Sequence, residues 1–131
     1  MALKILLIDD DSDFRNAIRA VLEKEGYTVG ESDSAREGHK KLQTFNPDLI
    51  LLDAMMEDLS AGFRFVKSLR KMEPSLGRHI PVIMITSVQQ VTDLQFSERL
   101  GTDLLPVDDF LEKPVEPRAL LEKVGSMLKA A

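Results

Sequence analysis

Cysteine is absent from the 131 residues. That excludes disulfides and thiolate metal sites and leaves a reducing compartment open. No apolar run approaches the ~20 residues of a membrane span. The N-terminus carries one basic residue, Lys4, then the apolar run Ile5 to Ile8, then the acids Asp9, Asp10 and Asp11. This is the pattern of a buried strand and not of a signal peptide, so the expected address is the cytoplasm. No stretch gathers Lys and Arg on one face, and acids outnumber bases by 22 to 17, a net charge of −5. Direct nucleic-acid binding is therefore not expected. Repeats, low-complexity tracts and linkers are missing too. What remains is an ordinary globular composition, 44% hydrophobic and 30% charged. The length suits one domain over residues 1–131, large enough to bury a core without staples.

Short apolar runs alternate with helical patterns. Leu3 to Ile8, Tyr27 to Glu31, Leu49 to Leu52, Ile80 to Ile85 and Val107 to Leu111 read as five strands. The first is nearly continuous in apolar residues, the mark of a strand buried on both faces. Ser12 is the expected cap of the first helix. Phe14, Ala17, Ile18, Val21 and Leu22 form its apolar stripe, and Gly26 suits the position just past its end. A second helix carries Ala35, Gly38 and Leu42 on one face and stops before Asn46-Pro47. A loop is expected through Gly62, then a helix from Phe63 to Met72. Val91 to Leu100 reads as a fourth helix. Pro117 opens a last one, striped by Leu120, Leu121, Val124 and Leu128. Alternating strands and helices predict a parallel α/β sheet with helices on both faces.

In such sheets ligands bind beyond the carboxyl ends of the strands. Asp9, Asp10 and Asp11 follow strand one, Asp53 ends strand three, Thr86 and Ser87 follow strand four, and Glu112 and Lys113 follow strand five. Each has a plain structural role open to it: acids oppose a helix dipole, Asp ends strands, Thr is β-branched, Lys is solvated. Together, at four strand ends, they form a chemically coherent set. Clustered carboxylates repel one another, and a hard divalent cation such as Mg²⁺ relieves that repulsion and bridges to phosphate. A lysine and a hydroxyl stabilise charge on a phosphoryl group in transfer, and a carboxylate acts as nucleophile. Asp53, alone at the end of a central strand, is the best candidate acceptor.

Four motifs carry a family resemblance over essentially the whole chain. They are Ile8-Asp9-Asp10-Asp11, Asp48-Leu49-Ile50-Leu51-Leu52-Asp53, Ile83-Met84-Ile85-Thr86-Ser87 and Phe110-Leu111-Glu112-Lys113-Pro114. Together they resemble the receiver domains of two-component response regulators, here without an output domain. The resemblance implies a flavodoxin-like doubly wound five-stranded sheet in the order 2-1-3-4-5. It implies that Asp9, Asp10, Asp53 and the main-chain carbonyl of Met55 hold Mg²⁺, and that Asp53 takes a phosphoryl group. Thr86 and Lys113 then grip the phosphoryl oxygens. The Lys113-Pro114 bond is expected to be cis. Thr86 and Phe110 are the expected switch pair, altering the face of the fourth helix and fifth strand. The donor is expected to be a phosphohistidine on a sensor histidine kinase or a histidine phosphotransfer protein, docking near Phe14, Ile18 and Pro114. Such a chain is a switch and not a conventional enzyme, catalysing only its own phosphorylation and dephosphorylation.

Three departures stand out. Glu57 and Ala61 occupy positions where the family usually has Pro and Gly, with Gly62 one later, so the loop looks one residue longer. Thr86 to Lys113 spans 27 residues, several more than usual, with the excess around Gln95 to Asp108. Phe110 replaces the common Tyr; lacking a hydroxyl, it has less reason to face water, and an inward ring is expected. Met55 and Val88, at positions flanking the path of the hydrolytic water, are apolar, and slow loss of phosphate is expected.

Competing readings are a degenerate receiver acting as a constitutive protein-binding adaptor, a phosphatase with an aspartyl nucleophile, and an FMN carrier. The phosphatase wants a second Asp two residues beyond the first, and that position is Met55. The FMN carrier wants a hydroxyl-rich loop where three aspartates stand. His39 and His79 read as surface residues away from the rim.

Overall fold

The computed structural model describes residues 3–53, 59–86 and 107–130. Five strands, β1 (Lys4–Ile8), β2 (Thr28–Ser32), β3 (Leu49–Asp53), β4 (Val82–Thr86) and β5 (Asp109–Glu112), form one sheet in the order β2-β1-β3-β4-β5. All four pairings are parallel. The helices are α1 (Ser12–Lys24), α2 (Ala35–Phe45), α3 (Leu59–Leu76) and α4 (Pro117–Ala130). The expected strand order and fold class hold.

Strand side chains alternate between two faces, and among the described residues each face meets two helices. Leu6, Ile8, Ile50, Leu52 and Met84 pack with Leu42 of α2 and with Phe65, Val66 and Leu69 of α3. Ile5, Leu7, Leu49, Leu51, Ile83 and Ile85 pack with Ile18 and Leu22 of α1 and with Leu120 and Val124 of α4. Both clusters are fully apolar, which is why β1, β3 and β4 read as unbroken hydrophobic runs. Gly38 lets α2 press on β1: a Cβ there would stand 2.4 Å from Ile8 Cδ1.

Several boundaries differ from the sequence reading. Asp11, not Ser12, caps α1; its carboxylate accepts from the amides of Asp13 and Phe14. The segment expected as loop through Gly62 is helical from Leu59, with Ala61 buried in the core. At its far end α3 continues past Met72 and through Pro74, because Leu76 still has core to cover. β2, β4 and β5 each finish one residue later than expected, at Ser32, Thr86 and Glu112. The helix expected at Val91 to Leu100 lies outside the described residues.

At the amino pole of the sheet, Arg70 pairs with Glu73 at 2.5 Å and Asp108 at 2.9 Å. His79 stands between the same two carboxylates, 3.1 Å from Glu73 and 2.7 Å from Asp108. These carboxylates also accept from the Ile80 and Val82 amides. His79 is exposed, as expected, yet it is a structural tie. His39 is half-buried, edge-on to Phe65 at 6.4 Å. Among the described residues, no helix is long and apolar enough to cross a membrane.

Candidate functional site

The parallel register brings four strand ends to one rim. Ile8 pairs with Leu52, Asp53 with Ile85 and Thr86 with Glu112, so the residues that end or follow these strands share one level. Asp9 is fixed just past β1 by its amide, which donates to Ser32 O at 3.1 Å. Arg15 of α1 donates to Asp9 O at 2.6 Å and pairs through Nε with Glu31 at 3.2 Å. Lys113 N donates to Thr86 O at 2.7 Å, which ties the start of the loop after β5 to the end of β4.

Asp9, Asp10 and Asp53 each bring a carboxylate oxygen to within 4.8 Å of the others. Asp9 is 0% exposed and Asp53 5%, while Asp10 faces solvent. Lys113 Nζ approaches from the side, 3.5 Å from Asp9 Oδ2 and 3.7 Å from Asp53 Oδ1. Asp9 Oδ1 accepts from the Asp11 amide at 2.9 Å, but the buried Oδ2 accepts no hydrogen bond. Burial pushes the Asp9 carboxyl above its ordinary value of 3.8, and the nearby Asp10 charge adds to this; the Asp11 amide and Lys113 pull the other way. A half-satisfied buried carboxylate, two more beside it and only hard oxygen donors make a set that fits a small divalent cation. Thr86 is 0% exposed, and its Oγ1 is also without a hydrogen-bond partner.

The structure thus brings Asp9, Asp10, Asp53 and Lys113 together, with Thr86 at the end of the adjoining strand. The Lys113-Pro114 bond is cis. Phe110 is half-buried against the α2–α3 side of the core, its ring centroid 5.7 Å from Lys123 Nζ. Phe14 is half-buried and Pro114 exposed. Ile18 needs correction as a docking residue: it is 5% exposed and belongs to the core beneath α1. Met55, Glu57 and Val88 lie outside the described residues. Sequence reasoning missed Arg15 of α1, whose partner Glu31 sits on β2, and the approach of Lys113 Nζ to the Phe14 ring, 4.6 Å from its centroid. Neither contact has a signature in local spacing.

The family described as response regulator receiver domain matches residues 5–125. The chain belongs to this family. As a receiver it is 33% identical over 129 residues to the alkaline phosphatase synthesis transcriptional regulatory protein PhoP of Bacillus subtilis (strain 168), covering 98% of this chain and 50% of that protein. It is 31% identical over 125 residues to protein PilH of Pseudomonas aeruginosa, covering 95% of this chain and 97% of PilH. The receiver spans about half the length of PhoP and of several other curated relatives it matches. Among solved structures it resembles chemotaxis protein CheY4 of Vibrio cholerae, with TM-score 0.78, 28% identity and coverage of 97% and 99% of the two chains. A CheY-like receiver from Methanospirillum hungatei JF-1 superposes with TM-score 0.80 at 30% identity, covering 99% of this receiver and 96% of that one. Receiver domains are signalling domains of two-component systems that bind Mg²⁺ at an acidic site.

Proposed function

We propose that this receiver is a phosphorylation switch in which Asp53 accepts a phosphoryl group from a phosphohistidine donor. The observation that carries the proposal is the meeting of three carboxylates within 4.8 Å with the Lys113 ammonium 3.7 Å from Asp53. An Asp53 oxygen attacks phosphorus, the P–N bond of the phosphohistidine breaks, and the imidazole departs. Asp9, Asp10, Asp53 and the Met55 carbonyl are the residues that would hold Mg²⁺. When bound, Mg²⁺ neutralises the pocket and draws in the phosphoryl oxygens. Lys113 balances the charge that develops on those oxygens, and the Thr86 hydroxyl becomes a donor to one of them. That gives its unpartnered Oγ1 a hydrogen bond that the unphosphorylated protein lacks. Movement of Thr86 and Phe110 then carries the change to a downstream protein. The donor class is a sensor histidine kinase or a histidine phosphotransfer protein, met at the surface around Phe14 and Pro114, and the setting is the cytoplasm.

Incubation with acetyl phosphate and Mg²⁺ should add the mass of one phosphoryl group, and Asp53→Asn should abolish the gain. No gain in the parent, or an undiminished gain in Asp53→Asn, refutes the reading. A constitutive adaptor would give no labelling; the intact pocket disfavours it.

A further inference from the structure

Lys113 is the residue with the least covalent constraint in the pocket. Its side chain has four rotatable bonds and a compact, strongly hydrated charge, and it is 32% exposed. Two carboxylates alone fix its distance poorly, since both ion pairs, at 3.5 Å and 3.7 Å, are longer than a good charge-assisted hydrogen bond. The third wall is aromatic: Lys113 Nζ lies 4.6 Å from the centroid of the Phe14 ring. That is within range of a cation–π contact.

Phe14 is itself well held. Its amide donates to the Asp11 cap at 3.2 Å, and its side chain packs against the core cluster under α1 and α4. Ring, cap, Asp9 and Asp10 therefore belong to one short stretch of chain, where β1 passes into α1. We propose that Phe14 is a positioning residue for phosphoryl transfer, its ring face holding the Lys113 ammonium against Asp9 and Asp53. This inference rests on Asp53 being the phosphoryl acceptor. It differs from a docking role for Phe14, because it acts with any donor, including one too small to touch the protein surface.

Acetyl phosphate separates the two roles. Phe14→Leu keeps an apolar side chain against the core and removes the ring face; Phe14→Tyr keeps the ring. Labelling of Asp53 by acetyl phosphate, followed across Mg²⁺ concentrations, should slow roughly three- to tenfold in Phe14→Leu. The loss should fall in the maximal rate more than in the Mg²⁺ dependence, and Phe14→Tyr should restore it. A proton NMR spectrum gives a second readout: the Lys113 methylene signals beside the ammonium should be ring-current shifted in the parent and in Phe14→Tyr. They should relax toward ordinary lysine positions in Phe14→Leu, the signals being assigned by their loss in Lys113→Arg. An unchanged rate in Phe14→Leu, equal slowing in both variants, or unshifted Lys113 signals in the parent each overturns the proposal. Failure of the parent to label at all overturns instead the reading of Asp53, and the NMR shift still reports whether the ring holds the ammonium.

Discussion

Replacing Asp9 by Asn should stabilise the metal-free fold while weakening its response to Mg²⁺. Asp9 is 0% exposed, and it shares with Asp10 and Asp53 a set of oxygens within 4.8 Å. At an effective dielectric near 20, each like-charge pair at that separation costs on the order of 3 kcal/mol. The attraction to Lys113 at 3.5 Å returns about 5 kcal/mol on the same scale. Solvent screening discounts the share of exposed Asp10, while desolvation of Asp9 adds to the penalty. The balance favours a neutral side chain by about 1–2 kcal/mol. For a domain of this size that is a rise in melting temperature of roughly 3–8 °C.

The assay is thermal unfolding followed by circular dichroism, in chelator and in Mg²⁺. With Mg²⁺ the order should reverse, since the parent gains about 2.7 kcal/mol at a hundredfold excess over the dissociation constant and the variant gains less. The pH dependence has a definite sign. The Asp9 carboxyl is raised in the folded state. Below 3.8 it is therefore protonated in both states, and parent and variant lie closest in stability. As pH climbs through the raised folded value, the parent falls behind Asp9→Asn, and the gap then levels off. A variant that melts at or below the parent in chelator refutes the electrostatic argument. Equal stabilisation of both proteins by Mg²⁺ refutes the metal role.

Three further outcomes are expected. Thr86→Val removes a buried hydroxyl whose Oγ1 has no partner, so the unphosphorylated protein should gain about 1 kcal/mol in urea unfolding, while the chemical-shift changes that follow phosphorylation should shrink. Gly38→Ala places a methyl 2.4 Å from Ile8 Cδ1; crowding against β1 should outweigh the better helix propensity and cost a net ~1–2 kcal/mol in the same assay. Met55→Asn combined with Val88→Glu should hasten decay of the phosphorylated species, measured by mass spectrometry after donor removal; equal or slower decay refutes the idea that apolar residues there slow hydrolysis.

The fold was legible because β1, β3 and β4 are buried on both faces, so Ile5 to Ile8, Leu49 to Leu52 and Val82 to Ile85 had to be apolar without alternation. The rim acids were legible because a parallel sheet sends every strand end to the same pole. Boundaries were harder. Asp11 took the cap from Ser12 because a carboxylate accepts well from two amides, and nothing in the order of the two residues says which will turn inward. α3 ran through Pro74 although a proline there removes the bond to the carbonyl four residues back, because burial of Leu76 offsets that loss. Ile18 was placed on the docking surface by analogy, although its stripe with Leu22 already pointed to the core. The Arg15–Glu31 pair, the contact of Lys113 with the Phe14 ring and the His79–Asp108 tie escaped notice because each joins elements far apart in the chain.

The bond from the Lys113 amide to the Thr86 carbonyl has a mechanical consequence. On the proposed reading, the two residues that meet the phosphoryl oxygens are joined through their backbones by this one hydrogen bond, so a shift of Thr86 is passed to Lys113. The strand beside this bond is β5, which lies at the margin of the sheet and, among the described residues, is laced only to β4. A marginal strand is the least expensive part of a sheet to slide. Phe110, two rungs down it opposite Met84, is then, on the proposed reading, a lever arm whose fulcrum is that single hydrogen bond.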